Sequence, residues 1–410
     1  MSALDCRFCG CALRHTFVDL GASPLANSYL DERGLLGMEP FYPLRVYVCE
    51  ECLLVQLPEF ESPEAIFGDY AYFSSYSESW LEHARRYTEV VIDRFGFDES
   101  SHVVEVASND GYLLRFFRER GVPVLGIEPA ANVAAAAEAA GVPTLVEFFG
   151  LELAERLAVE GRRADLVLGN NVLAHVPDVN DFVAGLRALL APGGVVTMEF
   201  PHLARLIENN QFDTIYHEHF SYFSLTTARH VFAKHGLEIF DVQELPTHGG
   251  SLRIYAAPAD EARPVGEAVG QLLAAEKLVG LDTLAGHMGF EQRVRRTKRK
   301  LLEFLVGLKE SGASVVGYGA PAKGNTLLNY CGIGPDLVDY TVDRSPHKQG
   351  RYLPGTRIPI HAPERIAETQ PDYVFILPWN LKAEIMEQTS YIHEWGGKHV
   401  VFIPELKVYE

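Results

Sequence analysis

The chain has 410 residues, 47% of them hydrophobic, which is enough for two or three domains with a core in each. Its formal net charge of −19 argues against nucleic-acid binding, because phosphate contacts need a basic face. No apolar run reaches the roughly 20 residues that span a bilayer, and Met1-Ser-Ala-Leu-Asp-Cys-Arg7 lacks the basic-then-apolar layout of a signal peptide, so a cytoplasmic protein with no membrane partner is expected, as a monomer or weak dimer.

Five of the six cysteines fall in the first 52 residues, which is not the distribution of a disulfide scaffold. Cys6-Arg-Phe-Cys9 and Cys49-Glu-Glu-Cys52 are C-x-x-C knuckles, a spacing that lets two thiolates take adjacent corners of a zinc tetrahedron. Four ligands close the coordination shell, so the expected zinc is structural. A redox pair is the alternative, and Cys11 is spare. Between the knuckles, Val18–Tyr29 reads as a turn-rich loop and Leu44–Val48 alternates as a strand. A module this small depends on its metal to stay folded. The cluster Tyr70-Ala-Tyr-Phe-Ser-Ser-Tyr76 is polar for an aromatic patch and is expected at the mouth of a cleft. A helix is predicted from about Glu78 to Phe95.

From about residue 101 strand and helix alternate. Apolar runs at His102–Ala107, Val122–Ile127, Asp165–Gly169 and Gly194–Phe200 read as strands, the first leading through Ser108-Asn-Asp-Gly111 into a helix Tyr112–Arg120. Such alternation implies a parallel sheet with helices on both faces and ligands at the carboxyl ends of its strands. The stretch Asp213–Ser224 then packs Tyr216, His217, Glu218, His219 and Tyr222 close together. Run as an extended segment, it would put His217 and His219 on one side and Tyr216 and Glu218 on the other. One imidazole could then meet a substrate; a metal pair or a hydrogen-bonded loop without chemistry is the other reading. Ser224 is placed to cap a helix Leu225–Lys234. Leu237–Asp241 and Ser251–Ala256 follow as a hairpin joined through Thr247-His-Gly-Gly250.

Residues 260–309 read as helical, with the basic tract Arg293–Lys300 on a solvated face; a site for a diphosphate is the other reading. A second βα series has strands at Ser314–Tyr318, Leu337–Val342, Tyr373–Leu377 and Val400–Ile403. Its turn Gly317-Tyr-Gly-Ala-Pro-Ala322 has the form of a dinucleotide fingerprint, with Asp343 at about the right distance. Backbone amides there, backed by Lys323, suit a phosphate of any nucleotide.

A parallel sheet finished by a hairpin resembles the class I S-adenosylmethionine methyltransferases. The resemblance implies a glycine-rich turn bracketed by Glu105 and Gly111, with Ser108 and Asn109 inside it. It also implies Glu128 on both ribose hydroxyls, and Asn170 and Asn171 near the adenine and methionine parts. A dinucleotide cofactor is the alternative for such a turn. Ala107 stands where that family usually has glycine, so a slightly more open turn is expected.

The α/β chain as a whole reads as a zinc module (residues 1–66), a methyltransferase core (67–258), and a helical connector with a second Rossmann-like domain (259–410). Together these resemble the sugar C-methyltransferases that act on nucleotide-linked 4-keto-6-deoxy sugars. The carriers are Cys6/Cys9/Cys49/Cys52, Ser108–Gly111, Tyr216–His219, His248–Ser251 and Gly317–Lys323. The resemblance implies methyl transfer to a sugar carbon, most often C3, with His219 as base. A carbon next to a ketone must lose a proton before it attacks the methyl group, which needs a neutral imidazole and a donor for the enolate oxygen. Glu218 would orient or tune the histidines, Tyr216 or Tyr222 would donate, and Tyr70 is a second-rank catalytic candidate. Tyr72, His217, Glu199, His248 and Lys323 are the candidate substrate contacts. Two rival readings stand: a bifunctional enzyme that also reduces the 4-keto group with a nicotinamide in its C-terminal domain, and a zinc-ribbon adaptor without activity.

Overall fold

The computed structural model describes residues 4–62, 73–261 and 263–410. Tyr70 and Tyr72 lie outside the described residues. Among those residues the strands form three sheets.

The first sheet belongs to the N-terminal head. It holds β1 (His15–Ser23), β2 (Tyr42–Val48) and β3 (Val55–Gln56). β1 occupies sequence that was expected to be a loop from Val18 onward. Two register shifts against β2, at Thr16/Val18 and at Asp19/Ala22, break its alternation, and bulges of this kind hide a strand from a period-2 reading. The helix Glu78–Phe95 follows its expected bounds. Ser77 caps it by accepting the Trp80 N–H, and Gly96 ends it at φ +73, the left-handed conformation glycine adopts without strain. Its buried side chains, Ala84, Tyr87, Thr88 and Val91, follow helical spacing and face the sheet of the core.

That core sheet has seven strands. β4 (Val103–Val106), β5 (Val124–Ile127), β6 (Thr144–Leu145), β7 (Ala164–Asn170) and β8 (Leu190–Pro201) are parallel, and β10 (Leu237–Leu245) and β11 (Ser251–Pro258) complete it as an antiparallel pair. The spatial order is β10-β11-β8-β7-β4-β5-β6. Order reverses between β4 and β7, a switch that opens a crevice at the strands' carboxyl ends. Buried runs such as Val195–Phe200 in β8 are what a sheet covered on both faces requires.

β9 (Ser221–Tyr222) leaves the core and joins the head, Tyr222 pairing with Val55 and Ser221 with Gln56. The third sheet runs β14 (Ile360–His361), β13 (Thr341–Val342), β12 (Val315–Tyr318), β15 (Tyr373–Ile376), β16 (Lys398–Val401) and β17 (Lys407–Tyr409). All are parallel except β17. The short β14 and β17 escaped the sequence reading.

The apolar interior does not stop at the domain boundaries. One cluster includes Phe17, Val46 and Leu57 of the head, Leu206, Phe212 and Ile215 of the core, and Phe290, Leu327 and Phe375 of the C-terminal part. Phe17 stacks on Phe290 with ring centroids 4.8 Å apart. Among the described residues no helix is long and apolar enough to cross a membrane.

Candidate active site

A cavity of about 530 Å³ sits where β4, β5, β7 and β8 end. Ala107, Glu128, Asn170 and Pro201 line it from those strand ends. Asn27 of the head and Pro321, Ala322, Lys323 and Lys348 of the C-terminal domain line it from above.

At one end, both Glu128 oxygens hold backbone. Oε2 accepts the Asn109 N–H and Oε1 the Ala130 N–H, each at 2.9 Å. A carboxylate has about four lone-pair sites, so about two remain for further donors. Burial raises the Glu128 pKa, and the two amides oppose that rise. The turn is tied to the start of the Glu78–Phe95 helix by the Ser74 N–H on Asn109 Oδ1 (2.8 Å) and the Ser75 N–H on Asp110 Oδ2 (3.1 Å). Gly111, at φ +74, would put a Cβ 2.8 Å from Val142 Cγ2, so only glycine fits.

Glu105, Ser108 and Gly111 shape this turn from behind and do not line the cavity. Glu105 is buried, and its pKa is pushed well up by burial and by Asp110 and Glu128. Ala107 takes the left-handed conformation itself, at φ +56. Four cavity residues, Ala107, Asn109, Asn171 and His248, are in that conformation, and strain of this kind gathers where function over-determines the backbone.

Glu147, Phe148 and Phe149, immediately after β6, also line this end. The sequence reading missed them; an acid followed by two aromatic rings was the available signal. The set fits S-adenosylmethionine: a carboxylate for a ribose diol, an apolar face with an acceptor for adenine, and an open backbone turn for the amino-acid end.

At the other end lies the Tyr216–His219 run, and it is not extended. The His219 N–H donates to the Tyr216 carbonyl at 2.9 Å, closing a tight turn. His217 and His219 therefore point apart, correcting the expectation that they share a side. His217 Nε2–H donates to the Pro43 carbonyl at 3.2 Å, and the ring packs edge-on to Tyr42 and Phe60; it does not line the cavity.

His219 does line it. Its Nδ1 lies 2.8 Å from the Thr214 carbonyl. A carbonyl can only accept, so Nδ1 carries the proton and Nε2 keeps its lone pair. The ring stacks on Tyr216 (centroids 4.0 Å) and meets His175 edge-on at 4.6 Å. Burial, and then His175, holds its pKa well below the ordinary value, against the Thr214 hydrogen bond. It is a neutral imidazole. Glu218 lines the cavity beside it and accepts from Asn27 Nδ2 at 2.6 Å. Tyr222 lies buried behind His219, ring centroids 6.2 Å apart, outside the lining. His175, unremarked in the sequence reading, closes the same wall five residues after Asn170.

His248 lines a side wall at φ +53. Its Nε2 accepts from Asn171 Nδ2 at 3.2 Å, and Trp80 packs against its ring at 5.2 Å. Glu199 is not in the lining. It is buried beneath that wall, taking Arg253 Nη2 at 2.5 Å, His83 Nε2 at 2.9 Å and Thr247 Oγ1 at 2.9 Å. An acid so fully paired is an anchor for the His248 loop and no substrate contact.

Lys323 opens the helix Ala322–Cys331 at the top of the cavity, its Nζ 2.7 Å from Asn380 Oδ1. Asp343, the acid of the expected dinucleotide fingerprint, accepts the Ala320 and Ser345 amides at 2.7 and 2.8 Å. Its carboxylate holds the Gly317–Ala322 turn in shape, with Lys348 Nζ 3.6 Å away.

In the head, the Sγ atoms of Cys6, Cys9, Cys49 and Cys52 all lie within 4.8 Å of one another. The Cys6–Cys52 and Cys9–Cys49 pairs stand at 3.5 Å, and a tetrahedral zinc–thiolate site needs sulfurs about 3.8 Å apart. Gln56 Nε2–H donates to Cys6 Sγ at 3.1 Å, the outer-shell contact a metal thiolate takes. The four cysteines fit zinc, and Cys11 stays outside the cluster.

Residues 6–67 match a zinc binding domain family, 80–242 a methyltransferase domain, and 246–404 a C-methyltransferase C-terminal domain. The C-methyltransferase NovU of Streptomyces niveus is 40% identical over 404 residues, 98% of this chain and 96% of its own. The chain belongs to this C-methyltransferase family. A ubiquinone biosynthesis O-methyltransferase of Rhodopseudomonas palustris is 31% identical over 97 residues, 23% of this chain and 38% of that protein. Among solved structures, magnesium protoporphyrin IX methyltransferase of Synechocystis is similar at a TM-score of 0.33 and 15% identity, covering 47% of this chain and 88% of that one. This C-methyltransferase is S-adenosylmethionine-dependent and carries a zinc-binding head, and its Glu128 and His219 face one shared cavity.

Proposed function

We propose that the enzyme adds a methyl group to C3 of a thymidine-diphosphate-linked 4-keto-6-deoxy sugar, through an enolate formed by His219, in the making of a branched deoxysugar. The observation that carries the reading is the Nδ1–H bond from His219 to the Thr214 carbonyl. It leaves an unprotonated Nε2 on a neutral ring at the wall of the cavity, which is what abstraction of a carbon-bound proton needs.

S-adenosylmethionine supplies the electrophilic methyl. His219 Nε2 takes the proton from the carbon beside the ketone. Tyr216, stacked on His219, is the phenol positioned for the oxygen on which charge develops. Glu218 holds the turn through Asn27 and lines the cavity beside His219. Lys323, Lys348 and the amides opening the Ala322–Cys331 helix supply positive charge for a diphosphate. The head and the C-terminal domain roof the cavity, so the carbanion equivalent is kept from water.

The test is exchange of the sugar's carbon-bound proton with deuterated water, in the presence of S-adenosylhomocysteine so that no methyl is transferred. His219→Asn should lose at least about 10²-fold in this exchange, with binding of both ligands changed little. Exchange at the wild-type rate would overturn the assignment.

A further inference from the structure

The Thr214 carbonyl that sets the His219 proton belongs to a single turn of 3-10 helix, Phe212–Thr214. That turn is held from outside the methyltransferase core. Asp213, within it, is fully buried and accepts the indole N–H of Trp379 at 2.7 Å. Trp379 comes from the C-terminal domain, in the turn after β15. Thr326, also from that domain, donates its hydroxyl to the Ile215 carbonyl at 3.0 Å. The two contacts bracket Thr214.

The same indole reaches the opposite wall. A Cβ on Gly249 would stand 2.3 Å from Trp379 Cη2 and 2.7 Å from Gln211 Nε2, so the ring packs directly on the backbone next to His248. Gln211 Nε2 donates to the Gly249 carbonyl at 2.7 Å, joining the His248 loop to the residue just before the turn. Lys323 Nζ lies 4.9 Å over the indole. One side chain of the C-terminal domain thus touches the base's turn, the His248 loop and the cavity lysine.

We propose that Trp379 is a positioning residue for the base: through Asp213 it fixes the Phe212–Thr214 turn, and through the Thr214 carbonyl it fixes the tautomer and aim of His219. The proposal rests on the reading of His219 as base. It gives the C-terminal domain a part in proton abstraction distinct from holding substrate. Asp213 is buried with Oδ1 unpaired; the indole is the neighbouring side chain that donates to its Oδ2, alongside its own N–H, the Thr214 N–H and the charge of Lys323, so losing the indole weakens what holds the carboxylate in place. Without that donor the turn relaxes and the Thr214 oxygen moves off the Nδ1–H line.

Trp379→Phe tests this, because it removes the indole N–H while leaving an aromatic ring at the position; the phenyl is smaller and gives up part of the packing on Gly249, so the link is read from the pH profile and the double variant as well as from the rate. Misplacement of about 1 Å costs up to about 10²-fold in rate, so kcat and proton exchange should fall together by about 10- to 100-fold while the KM values move by less than about threefold. The acid limb of the kcat–pH profile should also shift to lower pH, since the Thr214 bond favours the protonated ring. The other groups facing His219, namely His175, His248, Lys323, Tyr216 and Tyr222, are unchanged in the variant. Asp213, its pKa pushed up to about 6 by burial, loses the indole bond that lowers it and would move a limb to higher pH, so a shift to lower pH reports the lost Thr214 bond. A merely structural defect would lower the active fraction without moving it.

Asp213→Asn, which keeps an acceptor for the indole, should lose far less activity than Asp213→Ala. The Trp379→Phe/Asp213→Ala double variant should lose no more than the worse single one, as two parts of one link do. Wild-type exchange and an unshifted limb in Trp379→Phe, or additive losses in the double variant, would overturn the proposal. His219→Asn run alongside separates the two ideas: exchange surviving in His219→Asn removes the base itself, whereas a dead His219→Asn beside a wild-type Trp379→Phe removes only the link.

Discussion

Replacing Glu128 tests the cofactor end of the cavity, and the structure sets the size of the effect. The carboxylate already accepts the Asn109 and Ala130 amides, and its remaining lone pairs face the cavity that it lines. Two ribose hydroxyls donating to it make charge-assisted bonds of about 1.5–3 kcal/mol each. At the lower figure, Glu128→Ala loses about 3 kcal/mol of binding, or about 10²-fold in Kd for S-adenosylhomocysteine. The substitution also strands two amide donors, each costing about 1–3 kcal/mol of stability, so the variant should melt earlier without ligand. Glu128→Gln retains one acceptor oxygen and should fall between alanine and wild type in both respects. Isothermal titration calorimetry reads the affinity, and the ligand-induced rise in melting temperature gives a second measure. A Kd for Glu128→Ala within about twofold of wild type would mean that the ribose lies elsewhere and would refute the reasoning.

Two further outcomes are expected. Elemental analysis should find one zinc per chain, and Cys49→Ser should give a poorly folded protein, because the head depends on the closed four-sulfur shell; a soluble, zinc-free, active Cys49→Ser protein would refute this. Stability should fall on acidification. His175 and His248 are held neutral by burial, with pKa values pushed down to about 4, while the unfolded chain titrates near pH 6.5. Their contribution is whole above about pH 6.5 and is lost as pH falls towards 4, about 1–2 kcal/mol each by pH 5 once the water in the cavity is allowed for. The urea midpoint should therefore drop between pH 7 and pH 5, and His175→Asn should drop less; equal slopes would sink the assignment.

What the sequence made legible was the part governed by local rules. Ser224 caps a helix where its hydroxyl meets an orphan amide, and the helices Glu78–Phe95 and Leu225–Lys234 took their expected bounds. The knuckle spacing likewise brought four sulfurs together. What stayed hidden depends on contacts between distant residues. A two-residue alternation could not show that Tyr216–His219 folds into a turn, closed by the His219 N–H on the Tyr216 carbonyl, after a segment held by Thr326 and Trp379, more than a hundred positions away. Glu199 looked like a site residue because it ends an apolar strand beside the expected crevice. Only the fold shows that Arg253, His83 and Thr247 already take both its oxygens. His175 carried no motif of its own and became part of the wall because β7 ends where it does.

The head's contribution to the site follows from where the Tyr216–His219 run goes next. Immediately after His219, the Phe220 carbonyl accepts the Leu57 N–H at 2.9 Å, and Ser221–Tyr222 then pairs with Val55–Gln56 as the outer strand of the head's sheet. Gln56 is the joint. Its backbone pairs with Ser221, while its side chain donates to Cys6 Sγ and accepts the Arg7 N–H at 2.9 Å. Arg7, between the two cysteines of the first knuckle, reaches the Pro177 carbonyl at 2.7 Å and lies over the Phe220 ring at 5.3 Å. A zinc site with no open coordination position therefore still bears on where His219 sits, because the strand it stabilises fixes one end of a run whose other end is held by the C-terminal domain. His219 sits between two anchors supplied by different parts of the chain. That arrangement accounts for a head and a C-terminal domain sharing one apolar interior with the methyltransferase core, since flexible tethering of either would leave the imidazole without a fixed direction.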